Sequence, residues 1–222
     1  LQQDALTAKN RGHAVLAIFL DLQAAFDLTW HFGVLKKLKD YGITGRCFRY
    51  IRSFRENRKI QVRVGGELSD LHEVERGTPQ GSIISPTLFA LLINGLSDAL
   101  QGSGMVVSQF ADDTGTWRSG SNLAYLARKT QLGLDAIWDW SLKWGFKINP
   151  TKTVGMVFGK QCQQTPKLKL GGENISFPKI IKFLGLYLDN RFSFTAHFNI
   201  IKERCEKDLN LMKVLRGTDF GS

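Results

Sequence analysis

The 222-residue chain has little of what would tie it to a membrane or to the cell exterior. It holds three cysteines, Cys47, Cys162 and Cys205, an odd number set far apart. That pattern builds neither a disulfide framework nor a zinc spacing and fits a reducing interior. The four histidines, His13, His31, His72 and His197, are scattered too, so none joins a recognisable ligand pattern. Pro86, Asn94 and Asp98 interrupt the longest apolar candidate, which leaves no run of about 18 residues to span a bilayer. Leu1 opens the chain with no charged-then-apolar leader, and the expected setting, with no targeting signal visible, is intracellular, in nucleus or cytoplasm. No internal repeat, low-complexity tract or flexible linker divides the chain, and a start on Leu reads as a piece of something longer.

What is present is globular: 43% hydrophobic residues and 23% charged ones, in a length that supports one domain with its own core. The net charge of +10 comes from 30 Lys and Arg spread along the sequence. A distributed positive surface suits a polyanion, because each phosphate it neutralises releases condensed counterions. On charge alone, a basic but uncommitted surface is the other reading.

Periodicity predicts an α+β layer. Residues 2–10 read as a helix ended by Gly12. Residues 14–22, AVLAIFLDL, are a nearly continuous apolar strand, which implies cover on both faces and a central place in a sheet. Residues 31–41 carry Val34, Leu35, Leu38 and Tyr41 at helical spacing, with Gly42 as the stop. Thr44 reads as the N-cap of a second helix to about residue 54, with Phe48 and Ile51 inward and Arg46, Arg49, Arg52 and Arg55 around it as a solvated face. Residues 59–74 alternate about Gly65-Gly66 as a hairpin. Pro86 opens a helix to about residue 100, and Ser121 caps a long one with Leu123, Leu126, Leu134, Ile137 and Trp138 in one stripe. Trp138, Trp140 and Trp144 suit core and rim packing better than base stacking. Residues 145–153 read as a turn region and 154–158 as a strand; 167–177 form a hairpin, 180–188 a strand pair and 194–214 a basic helix.

Chemistry enters at Gln109-Phe110-Ala111-Asp112-Asp113-Thr114, where two adjacent carboxylates sit at the turn between two strands. Like charges side by side destabilise each other unless a cation neutralises them, and a divalent metal is the obvious cation. A surface turn that merely uses Asp is the plain alternative. Asp21, near the end of the apolar strand, adds a third carboxylate that is costly to bury unless paired or metal-bound. Between them, Gly77-Thr78-Pro79-Gln80-Gly81-Ser82 lets backbone approach a flat ligand, with Gln80 offering both donor and acceptor.

Five stretches in order, LDLQAAFD (20–27), RGTPQGSIISPTLF (76–89), FADD (110–113), WGFKINPTKT (144–153) and KFLGLYLD (182–189), together resemble the reverse transcriptase domain of non-LTR (LINE-type) retrotransposons. The resemblance implies a right-hand polymerase palm, an antiparallel sheet with helices on one face, together with part of the fingers. It divides the chain into residues 1–190 as the polymerase domain and 191–222 as the beginning of a thumb. It implies RNA-directed DNA polymerase activity on an RNA template, a DNA primer and dNTPs, in a ribonucleoprotein. Asp21, Asp112 and Asp113 are then the catalytic and metal-binding residues for two Mg²⁺ ions, with Mn²⁺ as a possible substitute. Leu22 offers a carbonyl ligand, and Phe26 lies beneath the incoming sugar, where a ring excludes a 2′-hydroxyl. Gln80 and Gly81 meet template and nucleotide, Lys152 faces the triphosphate, and Phe183-Leu184-Gly185 grips the primer end. The chain departs from the pattern at Ala24, where many relatives have Lys, and at Phe110, where Tyr is commoner. The upstream fingers segment has no counterpart, so the isolated fragment is expected to be weak or inactive. A decayed or domesticated nucleic-acid-binding copy is the alternative function.

Overall fold

The computed structural model describes residues 1–74, 76–79, 81–159 and 165–216. Gln80 and Cys162 therefore lie outside the described residues. The first helix, α1 (Gln2–Asn10), ends before Gly12, whose φ of +66 turns the chain into β1 (Ala14–Leu20). All seven residues of β1 are buried, as a continuous apolar run requires when both of its faces are covered.

A short strand, β2 (Leu22–Gln23), leads to α2 (His31–Asp40) and α3 (Gly45–Arg55). A hairpin follows, made of β3 (Lys59–Ile60), β4 (Arg63–Val64), β5 (Glu67–Leu68) and β6 (His72–Glu73); Gly65 and Gly66 turn it with φ of +58 and +100. Then come α4 (Ser85–Ile93), α5 (Gly95–Leu100), β7 (Val106–Phe110), β8 (Asp113–Gly120) and α6 (Leu123–Trp144). The chain continues through β9 (Lys147–Ile148), β10 (Val154–Gly159), β11 (Lys169–Leu170) and β12 (Glu173–Asn174). It finishes with β13 (Ile180–Phe183), β14 (Leu186–Asp189) and α7 (Thr195–Arg216).

The main sheet is antiparallel, in the order β10-β1-β8-β7. Side chains alternate across it. Leu16, Ile18 and Leu20 face the core formed with Leu88, Leu92 and Leu96 of α4 and α5 and with Leu126, Leu134 and Ile137 of α6. Fully burying one such side chain stabilises the fold by about 1.5–3 kcal/mol. Val15, Ala17 and Phe19 face the other way, against Ala5 and Ala8 of α1, Trp117, Met156, Phe158, Ile181 and Leu188. The palm-like sheet thus has its helical layer on one face, with Val34 and Leu38 of α2 and Ile51 of α3 joining the same core, while α1 and the β13–β14 hairpin cover part of the other.

Several local expectations are corrected. The helix opened by Pro86 is two helices, which meet at Asn94. Asn122 rather than Ser121 caps α6; its side chain accepts from the Tyr125 amide at 3.0 Å. The stretch 145–153 is not only a turn, because β9 pairs with β2. Thr44 is the N-cap of α3 but makes no capping hydrogen bond. Arg55 does not join the solvated arginine face: it is 1% exposed. Lys37 is also buried, its ammonium 5.0 Å from the Trp144 ring and 3.8 Å from Asp98, whereas Tyr41 faces solvent. Trp140 and Trp144 are core residues.

Candidate functional site

Strand register assembles an acidic corner. Leu20 on β1 is paired with Thr114 on β8, so the next residue on each strand, Asp21 and Asp113, comes to the same end of the sheet. Asp113 is in turn paired with Phe110 across the β7–β8 hairpin, with Ala111 and Asp112 as its two-residue turn. Ala111 holds a φ of +52, a conformation uncommon outside glycine. Asp112 and Asp113 are exposed and Asp21 is half-buried.

The loop 149–153 fixes the Asp21 backbone from the other side. The Asn149 amide donates to the Asp21 carbonyl at 2.8 Å, and the Asp21 amide donates to the Thr153 hydroxyl at 3.4 Å. The Thr153 hydroxyl donates to the Asn149 carbonyl at 2.8 Å, which closes the loop on itself. The bond from Asn149 makes Leu22–Ile148 a pair without mutual ladder bonds, so the Leu22 carbonyl stays outside the β2–β9 ladder while its side chain is buried. Lys152 is exposed on this same loop.

Burial raises the Asp113 pKa above the ordinary carboxylate value, and the charges of Asp112 and then Asp21 raise it further, while Lys182 opposes them. Two neighbouring carboxylates that resist ionisation of a third are short of positive charge, and their hard oxygen donors suit a divalent cation. They do not form a finished cage. Among the described residues, no three His, Cys, Asp or Glu side chains are grouped closely enough to hold a metal. Mg²⁺ does not need one, since it keeps several waters and is commonly bound by one or two carboxylates plus substrate phosphates.

Beside this corner stands the β13–β14 hairpin. Leu184 and Gly185 form its turn, both in the left-handed region with φ of +48 and +79, between the paired Phe183 and Leu186. The Phe183 ring meets Phe19 of β1 edge-on at 4.8 Å and lies over Gly115 of β8, where a Cβ would come within 3.2 Å of it. Phe183 is thus docked on the two strands that lead to Asp21 and Asp113, while Leu184 is exposed at the tip of the turn.

Phe26 and the residues around Thr78 and Pro79 enclose a second feature. A cavity of about 350 Å³ is lined by Phe26, Thr78, Pro79, Gly81, Ser82, Ser85 and Pro86. The Thr78 amide donates to the Phe26 carbonyl at 3.0 Å, and the Phe26 ring packs on Phe89 at 4.5 Å. Phe26 is therefore both a wall of the cavity and a partner of the core. Gly81 is exposed with a φ of +83 and open space where a Cβ would be.

Sequence reasoning missed Lys182, Thr153 and the basic group His31, Arg55 and Arg58. Lys182 was within reach, as the first residue of the KFLGLYLD motif. The others have no local signature, because their partners lie 19 to 132 residues away in sequence.

A family model described as reverse transcriptase (RNA-dependent DNA polymerase) matches residues 2–188. The chain is 30% identical over 204 residues to the RNA-directed DNA polymerase from mobile element jockey of Drosophila funebris, an alignment covering 89% of this chain and 22% of that protein. To the probable RNA-directed DNA polymerase from transposon X-element of Drosophila melanogaster it is 29% identical over 212 residues, covering 91% and 22%. It thus spans about a fifth of the length of these curated relatives. Among solved structures it is similar to apo telomerase from Candida tropicalis truncated from the C-terminal domain, with a TM-score of 0.58 at 16% identity over 85% of this chain and 36% of that one. Telomerase from Candida albicans in complex with a TWJ fragment of telomeric RNA gives 0.59 at 15% identity, covering 87% and 34%. At such identities the likeness is one of fold.

Proposed function

Because the chain belongs to the reverse transcriptase (RNA-dependent DNA polymerase) family, matched over residues 2–188, we propose that it is the polymerase core of a non-LTR retrotransposon protein. In this reading it copies an RNA template by transferring nucleotides from dNTPs onto a DNA primer 3′-hydroxyl. The observation that carries the proposal is the register Leu20↔Thr114, which brings Asp21 to the Asp112-Asp113 turn. Phosphoryl transfer depends on positioning and charge neutralisation rather than on a protein nucleophile, so a corner of carboxylates suffices.

Asp21, Asp112 and Asp113 would hold two Mg²⁺ ions, or Mn²⁺ in their place, with the Leu22 carbonyl as a further oxygen donor. When bound, such ions lower the pKa of the primer hydroxyl and neutralise charge on the departing pyrophosphate. Phe26 presses on the sugar face of the incoming nucleotide, and Gly81, with Gln80 beside it, lets the base pair approach backbone. Lys152, on the loop that fastens Asp21, meets the triphosphate, and it is a candidate proton donor to pyrophosphate. Phe183, Leu184 and Gly185 seat the primer end beside the acids. Residues 1–190 form the palm with part of the fingers, and α7 begins the thumb. Work inside the cell, in a ribonucleoprotein, belongs to the same proposal; among the described residues no helix is long and apolar enough to cross a membrane.

The test is primer extension with Asp112→Asn. In the longer protein that carries this chain, wild type is expected to extend a primer on RNA with dNTPs, and a folded variant to be at least about a hundredfold slower. Undiminished incorporation by the variant overturns the assignment. A folded wild-type protein of that length that binds primer–template without extending it supports an inactive nucleic-acid-binding copy instead.

A further inference from the structure

Three basic side chains from separate parts of the chain meet at one backbone oxygen. His31 Nε2, at the start of α2, lies 2.8 Å from the Gly77 carbonyl oxygen. Arg58 Nη1, just before β3, donates to it at 3.4 Å, and Arg55 Nη2, at the end of α3, at 3.5 Å. Arg55 Nη2 also reaches the Thr29 carbonyl at 3.4 Å. The backbone repeats the connection: the Gly77 amide donates to the Thr29 carbonyl at 2.9 Å, and Trp30 bridges to Arg76. Gly77, with a φ of +86, lies so close to Asp27 that a Cβ would come within 2.8 Å of the Asp27 carbonyl oxygen.

A connecting turn needs none of this. A carbonyl oxygen has two lone pairs, and His31 at 2.8 Å takes the better of them. Burial lowers the His31 pKa, with the bond to Gly77 opposing it and the charges of Arg55 and Arg58 adding to it. The ring is thus neutral near pH 7, and its short contact with a carbonyl assigns the proton to Nε2. Arg55 is fully buried, and its Nε and Nη1 find no partner among the described residues. Burying a guanidinium so incompletely bonded is costly, and its burial pulls its pKa down to about 10, with Arg58 adding to the fall. What the group joins are the two segments that wall the 350 Å³ cavity: 24–30, with Phe26, and the stretch from Gly77 that supplies Thr78, Pro79 and Gly81.

We propose that His31, Arg55 and Arg58 are positioning residues that clamp the Gly77 carbonyl and so set the separation between Phe26 and the Thr78–Pro79 wall of the nucleotide cavity. The proposal deepens the polymerase reading and rests on it. The three side chains need not touch the nucleotide; they act through the backbone that lines its pocket. Loosening the clamp weakens nucleotide binding more than the chemical step.

Amide exchange on the 222-residue chain and steady-state primer extension by the longer protein that carries it test this, using wild type, His31→Ala and His31→Gln. One lost hydrogen bond predicts that His31→Ala speeds exchange at Gly77 and Thr78 by about three- to tenfold, leaves β1 and α6 unchanged, and raises KM for dNTP by a similar factor. kcat stays within about twofold, because the acids are not moved. His31→Gln, whose side-chain amide also donates to a carbonyl, recovers both readouts. Unchanged exchange overturns the clamp, and so does faster exchange with an unmoved KM, which leaves a structural bond only. Should His31→Ala fail to fold, Arg58→Met carries the same expectations. A wild-type protein of that length that extends no primer counts against the polymerase reading and not the clamp, which then stands or falls on the exchange of Gly77 and Thr78.

Discussion

The ring of Phe183 stands edge-on to that of Phe19 at 4.8 Å, and through this contact the β13–β14 hairpin is fastened to the strand that ends at Leu20, one residue before Asp21. Edge-to-face aromatic pairs contribute about 0.5–1.5 kcal/mol beyond burial. Phe183→Ala should therefore lower stability by about 1–3 kcal/mol in denaturant unfolding. If the hairpin seats the primer end, KM for primer rises while KM for dNTP holds. Equal changes in both constants would leave Phe183 a packing residue.

Asp113 gives a pH prediction. Its folded pKa is raised, by burial first and by Asp112 and Asp21 next. Between the unfolded and folded values the native state binds more protons, so this group's contribution to stability falls as pH rises through that window. Asp113→Asn, uncharged throughout, should raise the melting temperature of metal-free protein at neutral pH. Magnesium should raise the melting temperature of wild type, because it binds only the folded state, and raise that of the variant less. A variant that melts lower than wild type without metal, in a calorimetric scan, would contradict this account of the corner.

Phe26 fills two roles that a substitution can separate. Phe26→Val keeps an apolar side chain on Phe89 but removes the ring from the cavity wall. We expect the ratio of kcat/KM for ribonucleotides to that for deoxyribonucleotides to rise by about tenfold or more, with a loss of about 1 kcal/mol of stability. A stability loss with no change in sugar discrimination would confine Phe26 to the core.

Gly77→Ala should be among the costliest single-methyl changes in the chain. The left-handed backbone there and the Asp27 carbonyl at 2.8 Å from the new Cβ act together, and neither neighbour is a flexible side-chain end. A destabilisation of about 2 kcal/mol or more is expected, measured by chemical unfolding. The same substitution at Gly81, also left-handed but open to solvent, lacks the contact and should cost less. Equal costs at the two positions would remove the close approach as the cause.

The elements were legible because their causes are local. The run 14–20 is apolar at every position and became the central strand; Gly65-Gly66 and Gly185 turned where left-handed backbone is cheap. Where structure and expectation differ, an adjacent competitor or a distant partner decided. Asn122 outcompeted Ser121 as a cap, a choice of one residue along the chain. Arg55 looks like its neighbours on α3 in sequence, yet it turned inward, because Gly77 and Thr29 offer carbonyls on that side.

By itself the sequence determined the strands, the helices, the turn that presents Asp112 and Asp113, and the order of the motifs, since periodicity and turn chemistry act over a few residues. Only the tertiary structure decided that Asp21 comes to that turn, that loop 149–153 anchors it, that the charge of Lys182 acts on Asp113, and that three basic side chains share one carbonyl. Each of these depends on strand register or on packing between residues far apart in the chain. No local pattern encodes such distances; they exist once the sheet has paired and the helices have closed over it.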